Sequence, residues 1–239
     1  MFVEKFKESI ESGDALGAIL ASKSIDLNKR HHGLGWATPL HYASKYGDTI
    51  TCAALLGMGA DIQTPDIFGL TALHDAVSGG CVETVSLLLT SGADVNKDAV
   101  HGDSPLHLVT EDTPADMIQV LVNAGAEIDT KDAKGRTLLH IASARGRTLL
   151  CEVLLSYGAS PSSPDKQGLT PLHLTAKAGY AHICELLIRH GADVNTTDEK
   201  GKTPIYYVDQ ESHASTYAML FNHGAGECTE DINMYRCFD

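Results

Sequence analysis

Three motifs recur in one register, with a constant step of 33 residues. Thr38-Pro39-Leu40-His41, Thr71-Ala72-Leu73-His74, Ser104-Pro105-Leu106-His107, Thr137-Leu138-Leu139-His140, Thr170-Pro171-Leu172-His173 and Thr203-Pro204-Ile205-Tyr206 each begin 33 residues after the one before. Gly-Ala pairs keep the same step at 59, 92, 125, 158, 191 and 224, and single glycines at 69, 102, 135, 168 and 201. Five intervals without an insertion exclude coincidence. They point to stacked copies of one small supersecondary unit.

Each unit reads as turn, short helix, turn, longer helix. Thr or Ser opens the first helix as N-cap, and Pro follows in four of six units, where its missing N–H leaves no bond unmade. Gly47, Gly80, Gly146 and Gly179 stand where the chain must reverse. The second helix shows apolar spacing of three and four, as in Val85, Leu88 and Leu89. The Gly of each Gly-Ala pair ends it in the left-handed conformation. A turn with Asp first and Gly fourth, as in Asp132-Ala133-Lys134-Gly135, suits type I geometry.

A 33-residue unit with T-P-L-H-x-A, G-A-D-V-N and D-x-x-G resembles the ankyrin repeat. The resemblance implies an all-α solenoid of helix-turn-helix units joined by short β-hairpin loops. The expected divisions are an N-terminal capping unit (1–33), five repeats (34–66, 67–99, 100–132, 133–165 and 166–198), a C-terminal capping repeat (199–226) and an acidic tail (227–239). Phe6 to Ile10 and Ala15 to Leu20 supply the two helices of the first unit. Its loop to Thr38 is two residues longer than the corresponding one at Ser104, so the first hairpin should bulge. The repeat beginning near residue 100 lacks the inter-helix glycine, and there Thr113 and Pro114 are expected to cap and start the second helix. The last repeat replaces the motif His by Tyr206 and carries Asp209-Gln210-Glu211-Ser212, which suits a solvent-facing end.

Charge and composition narrow the function classes. The chain carries 18 Lys+Arg against 31 Asp+Glu, a net −13, which argues against a duplex nucleic-acid binder. No apolar run approaches the roughly 18 residues of a membrane span, and the N-terminal MFVEKFKESIESGDALG is too charged for a secretion signal. The acids belong mainly to the scaffold. Asp61, Asp94, Glu127 and Asp193 follow Gly-Ala, and Asp66, Asp98, Asp132, Asp165 and Asp198 are assigned to the turn.

No chemistry emerges from the motifs. There is no G-x-S-x-G, Walker A loop or G-x-G-x-x-G, and fifteen of the 22 glycines fall at the three repeated positions. The chain is read as no enzyme, with no catalytic residue, cofactor or metal. Five of its twelve His (His41, His74, His107, His140, His173) share one motif position, where the resemblance implies hydrogen bonds within the motif and to its neighbour. His31-His32 reads as a polar hairpin. Cys52, Cys151 and Cys184 share a second-helix position suited to a small buried hydrophobe, and Cys228 and Cys237 lie in the tail. The resemblance permits hydroxylation of Asn96 and Asn195, with a hairpin-bracing role as the alternative.

The resemblance further implies that partners bind the hairpin tips and the exposed side of the short helices, through non-motif positions. Those are Leu34, Trp36, Lys45, Tyr46, Ile67, Phe68, Leu70, Val100 and His101, then an acidic step at Asp103, Glu111 and Asp112. The cations Lys134, Arg136, Arg145, Arg147, Lys166, Lys177, Lys200 and Lys202 follow. Trp36, the one Trp, takes the place of the turn glycine. The expected partner is one or more proteins, offering an extended segment apolar at one end and acidic at the other, with no nucleic acid and no membrane. The chain itself is expected to be a monomer, intracellular, cytoplasmic or nuclear. It would serve as adaptor or scaffold, or alternatively as an inhibitor masking a kinase or transcription factor, or as a pathogen effector binding a host protein. About 13 residues follow Gly226, too few for a recruiting domain, which tilts the expectation slightly toward a stand-alone binder or inhibitor.

Overall fold

The computed structural model describes residues 1–110, 113, 114 and 116–226. Among these are twelve α-helices and three 3₁₀ turns, with one isolated β-bridge, His31 to Ala37, and no sheet. Backbone contacts gather into two compact bodies, Met1–Glu127 and the chain from Ile128 onward. The tail of 227–239, with Cys228 and Cys237, lies outside the described residues.

The N-terminal body stacks helix pairs. They are α1 (Phe2–Glu11) with α2 (Ala15–Ser22), α3 (Pro39–Lys45) with α4 (Thr49–Gly57), and α5 (Ala72–Ser78) with α6 (Val82–Thr90). A 3₁₀ turn (Pro105–Leu108) followed by α7 (Asp116–Asn123) completes it. The C-terminal body contains α8 (Leu138–Ala144) with α9 (Thr148–Ser156) and α10 (Pro171–Ala178) with α11 (Ala181–Arg189). It ends on a 3₁₀ turn (Pro204–Tyr207) and α12 (Ala214–Asn222). The first helix starts at Phe2 rather than Phe6, burying Phe6 and Ile10 one turn apart.

Local chemistry fixes the short helices. In α3, α5, α8, α10 and the Pro105–Leu108 turn, the Thr or Ser hydroxyl takes the N–H of the third residue, and the motif His Nδ1 takes the cap's own N–H. The opposite ring nitrogen reaches the next hairpin. Nε2 of His41, His74, His140 and His173 donates to the carbonyls of Leu70, Asp103, Leu169 and Lys202 at 2.9–3.1 Å. A carbonyl only accepts, so Nε2 carries the proton and the ring is neutral. Burial pushes these four imidazoles below their usual range, partly offset by the carbonyl bond. The longer helices end at glycine, as at Gly92 with φ +95°, where the Ala93 N–H turns back to the Leu88 carbonyl.

The core of each body is leucine-rich, with Leu55, Leu73 and Leu88 in the first and Leu139, Leu154 and Leu172 in the second fully buried. Cys52, Cys151 and Cys184 are also fully buried, each beside a hydroxyl, and burial pushes their thiols up to about 12, 11 and 11. Those values make them inert fillers.

Two repeats depart from the rest. Their first helix shrinks to a 3₁₀ turn, after which Val109 and Val208 are extended. Val109-Thr110 and Tyr206-Tyr207-Val208 are β-branched or aromatic, poor choices for continuing a helix. The Thr113 hydroxyl accepts the Thr110 N–H at 2.9 Å, in a local turn ahead of α7.

Candidate partner-binding face

Five hairpins have the same backbone closure. In the loop 66–70, the Asp66 N–H donates to the Leu70 carbonyl and the Gly69 N–H to the Asp66 carbonyl. The Asp66 carboxylate then takes the Phe68 and Leu70 N–H groups at 2.8 and 2.9 Å. Asp132, Asp165 and Asp198 repeat this arrangement. The assignment of Asp98 to this role is corrected: one step of the period from Asp66 falls on Ala99. The Ala99 N–H donates to the Asp103 carbonyl, but Ala99 has no carboxylate to offer. Only the backbone half of the closure is present there.

In the N-terminal body the tips are tied sideways. Arg30 Nε donates to the Pro65 carbonyl at 2.8 Å, and the Val100 N–H to the Phe68 carbonyl at 2.9 Å. The tied tips hold Trp36 (49% exposed), Ile67 (48%), Phe68 (55%) and Val100 (69%) in water. His101 is exposed beside them, while Leu70 and Asp103 are half-buried. Trp36 is the single non-glycine residue with positive φ among the described residues, at +63°. Holding an L side chain there costs roughly 1–2 kcal/mol. Its indole meets the His32 ring edge-on at 5.3 Å between centroids.

Leu34 is a correction. This loop is two residues longer and contains the 3₁₀ turn His32–Leu34, where Leu34 lies inward at 4% exposure, so it is removed from the accessible face. Lys45 and Tyr46 are exposed at the end of α3, with Tyr46 5.0 Å from the Tyr42 ring. The Tyr42 hydroxyl donates to Glu11 at 2.5 Å. Glu111 and Asp112 lie outside the described residues.

The C-terminal body presents cations. Lys134, Lys166 and Lys200 are exposed on successive tips, and Arg145 and Lys177 at the ends of α8 and α10. Others are already engaged. Arg136 Nε and Nη2 donate to Asp132 Oδ2 at 2.9 and 2.6 Å. Burial alone would push the Asp132 carboxyl up, yet these bonds and two backbone N–H groups hold it below its ordinary value. Lys202 Nζ lies 3.9 Å over the Tyr206 ring, a cation–π contact. Arg147 is half-buried at the start of α9. From residue 128 to 226 there are ten bases and ten acids, whereas residues 1–127 carry seven bases and seventeen acids.

The carboxamides of Asn96 and Asn195 are engaged. Each donates to the carbonyl of the following Gly (Gly125 at 2.9 Å, Gly224 at 3.1 Å) and accepts an N–H from Glu127 or Gly226. Asn28 braces Gly59 and Asp61 the same way. One residue escaped the sequence reading. Asp75, at the variable position of Thr71-Ala72-Leu73-His74-Asp75-Ala76, lies on the solvent side of α5. The only available signal was an acid where the other repeats place Tyr42, Leu108, Ile141, Leu174 and Tyr207.

No curated protein matches this chain. Two solved structures are similar: the human ASB11 ankyrin repeat domain (24% identity, TM-score 0.80, covering 93% of this chain and 99% of that one) and the ankyrin repeat domain of Bcl-3, a member of the IkappaB family (23%, TM-score 0.78, covering 91% and 97%). A family profile described as ankyrin repeats (3 copies) matches residues 9–99, 95–165 and 150–233. The chain therefore belongs to the ankyrin repeat family, whose repeats are in general protein–protein interaction modules.

Proposed function

We propose that the chain is a non-enzymatic recognition module that acts as adaptor or scaffold, binding partner proteins through its hairpin tips and the exposed sides of its short helices. The observation that carries this reading is the row Trp36, Ile67, Phe68 and Val100: four large apolar side chains in water, on tips tied together by hydrogen bonds. Apolar side chains gathered in water mark binding surfaces, and a Trp in strained backbone is a further sign of function. Apolar anchors of a partner dock on this row, and acidic groups dock on the free cations of the C-terminal body. Seventeen acids against seven bases over residues 1–127 make a protein, rather than duplex nucleic acid, the fitting partner. Four free thiols, at Cys52, Cys81, Cys151 and Cys184, suit an intracellular setting, cytoplasmic or nuclear.

Affinity capture tests the reading, with the wild-type chain beside a Trp36→Ser/Phe68→Ser variant and a control variant at the exposed outer-helix residue Leu149. Partners retained by wild type and control but lost by the tip variant are expected. Identical capture by all three overturns it.

A further inference from the structure

Among the described residues, Asp75 is a carboxylate with no hydrogen-bond or ion-pair partner. It lies at the middle of α5 with Leu73, His74, Ala76 and Val77 buried around it, leaving Asp75 and Ser78 as the solvent side of the helix. By register its neighbours are Tyr42 on α3 and Leu108 on the Pro105–Leu108 turn, elements that pack on either side of α5. Neither offers a positive charge. The Asp75 side chain makes no hydrogen bond and no ion pair among the described residues. Asp66 adds repulsion, while Lys45 attracts it only through space. The hairpin acids differ, because Asp66, Asp132, Asp165 and Asp198 each take two backbone N–H groups. No buried side-chain oxygen is left unsatisfied among the described residues, so the Asp75 carboxylate still reaches water, yet half-buried and bonded to no cation it is less well solvated than a free one. Burial pushes it up to about 7, so an incoming cation would recover what desolvation costs.

We infer that Asp75 is the acceptor for a Lys or Arg side chain of the partner, so that the N-terminal body reads a protein segment carrying apolar anchors together with a basic residue. This rests on the docking reading above and adds its charge specificity. The net acidity of residues 1–127 complements such a segment and would speed its capture. Lys45 is the competing cation that the partner displaces.

The one Trp stands in the apolar row, so its emission reports occupancy. Three synthetic peptides of equal length share the same Leu and Phe residues and differ only in bearing Lys, Gln or Glu between them. The Lys peptide is expected to shift Trp36 emission saturably and to bind about tenfold tighter than the Gln peptide, as a charge-assisted bond allows. The Glu peptide should bind weakest. Asp75→Asn should erase the advantage of Lys over Gln while leaving the Gln peptide unchanged, and Lys45→Gln should widen that advantage. Denaturation of each variant confirms that it is folded. Equal binding of the Lys and Gln peptides to the wild type, or a Lys preference that survives Asp75→Asn, overturns the assignment of Asp75 alone. If no peptide moves Trp36 emission, the docking reading falls, and the assignment with it.

Discussion

The hairpin at residues 99–103 lacks the carboxylate that closes the other four, and Ala99→Asp supplies it. Where Asp is present, one oxygen accepts two N–H groups at 2.8–2.9 Å. Ala99 and Gly102 already hold the matching backbone bonds, at 3.0 and 2.9 Å, so the new carboxylate needs no rearrangement. Hydrogen bonds to a charged acceptor are worth about 1.5–3 kcal/mol each when well buried, and about 1 kcal/mol each on this water-exposed tip, net of water. Ordering the side chain and repulsion from nearby Asp98 and Asp103 remove roughly 1 kcal/mol together. The expected gain is about 1 kcal/mol, larger in high salt, where that repulsion is screened. With a urea slope of about 1–3 kcal/mol/M, the midpoint should rise by ~0.3–1 M at constant slope. Asp165→Ala is the mirror experiment and should lower it by a similar amount. If Asp165→Ala destabilises while Ala99→Asp does nothing or harms, the carboxylate is not what this closure lacks, and the reasoning fails.

Other outcomes follow from the same structure. Asp75 titrates at about 7 when folded against 3.8 unfolded, so its contribution is intact below pH 4 and is lost as pH rises to 7. Asp75→Asn should therefore match wild type near pH 4 and exceed it by roughly 2–4 kcal/mol at pH 8, a gap that pH-independent denaturation midpoints would refute. The four neutral motif histidines have lowered values, so their contribution is full above pH 6.5 and lost as pH falls below it. His140→Leu leaves the Thr137 N–H and the Leu169 carbonyl unmet and should cost about 2–4 kcal/mol, while flattening part of that acid limb in denaturation curves. Trp36→Asn places at φ +63° a residue that tolerates it. Stability should change by less than about 1 kcal/mol while partner affinity falls at least tenfold; unchanged affinity would remove Trp36 from the binding face.

Much of this architecture is legible in the sequence because the repeat is a chemical pattern. Thr-x-x-His specifies a capping box, and Gly-Ala specifies where a helix stops, so helix pairs follow from spacing alone. What the period cannot supply is the consequence of breaking it. In the longer loop before Thr38, Leu34 lies inward while Trp36 stays exposed, and only the folded loop separates residues so close in sequence. Ala99 shows the same limit: a neighbouring Asp98 imitates the motif one position early. Asp75 was illegible for a different reason. It is an ordinary acid on the solvent side of a helix until its surroundings show no bonded donor among the described residues.

The claim that the hairpin tips are the recognition surface is tested most directly by hydrogen exchange on the complex with a captured partner. Slowed exchange is expected at 31–37, 66–70 and 99–103, with the outer helices α4 and α6 unchanged. Protection confined to α4 and α6, with the tips exchanging as in the free chain, would contradict it.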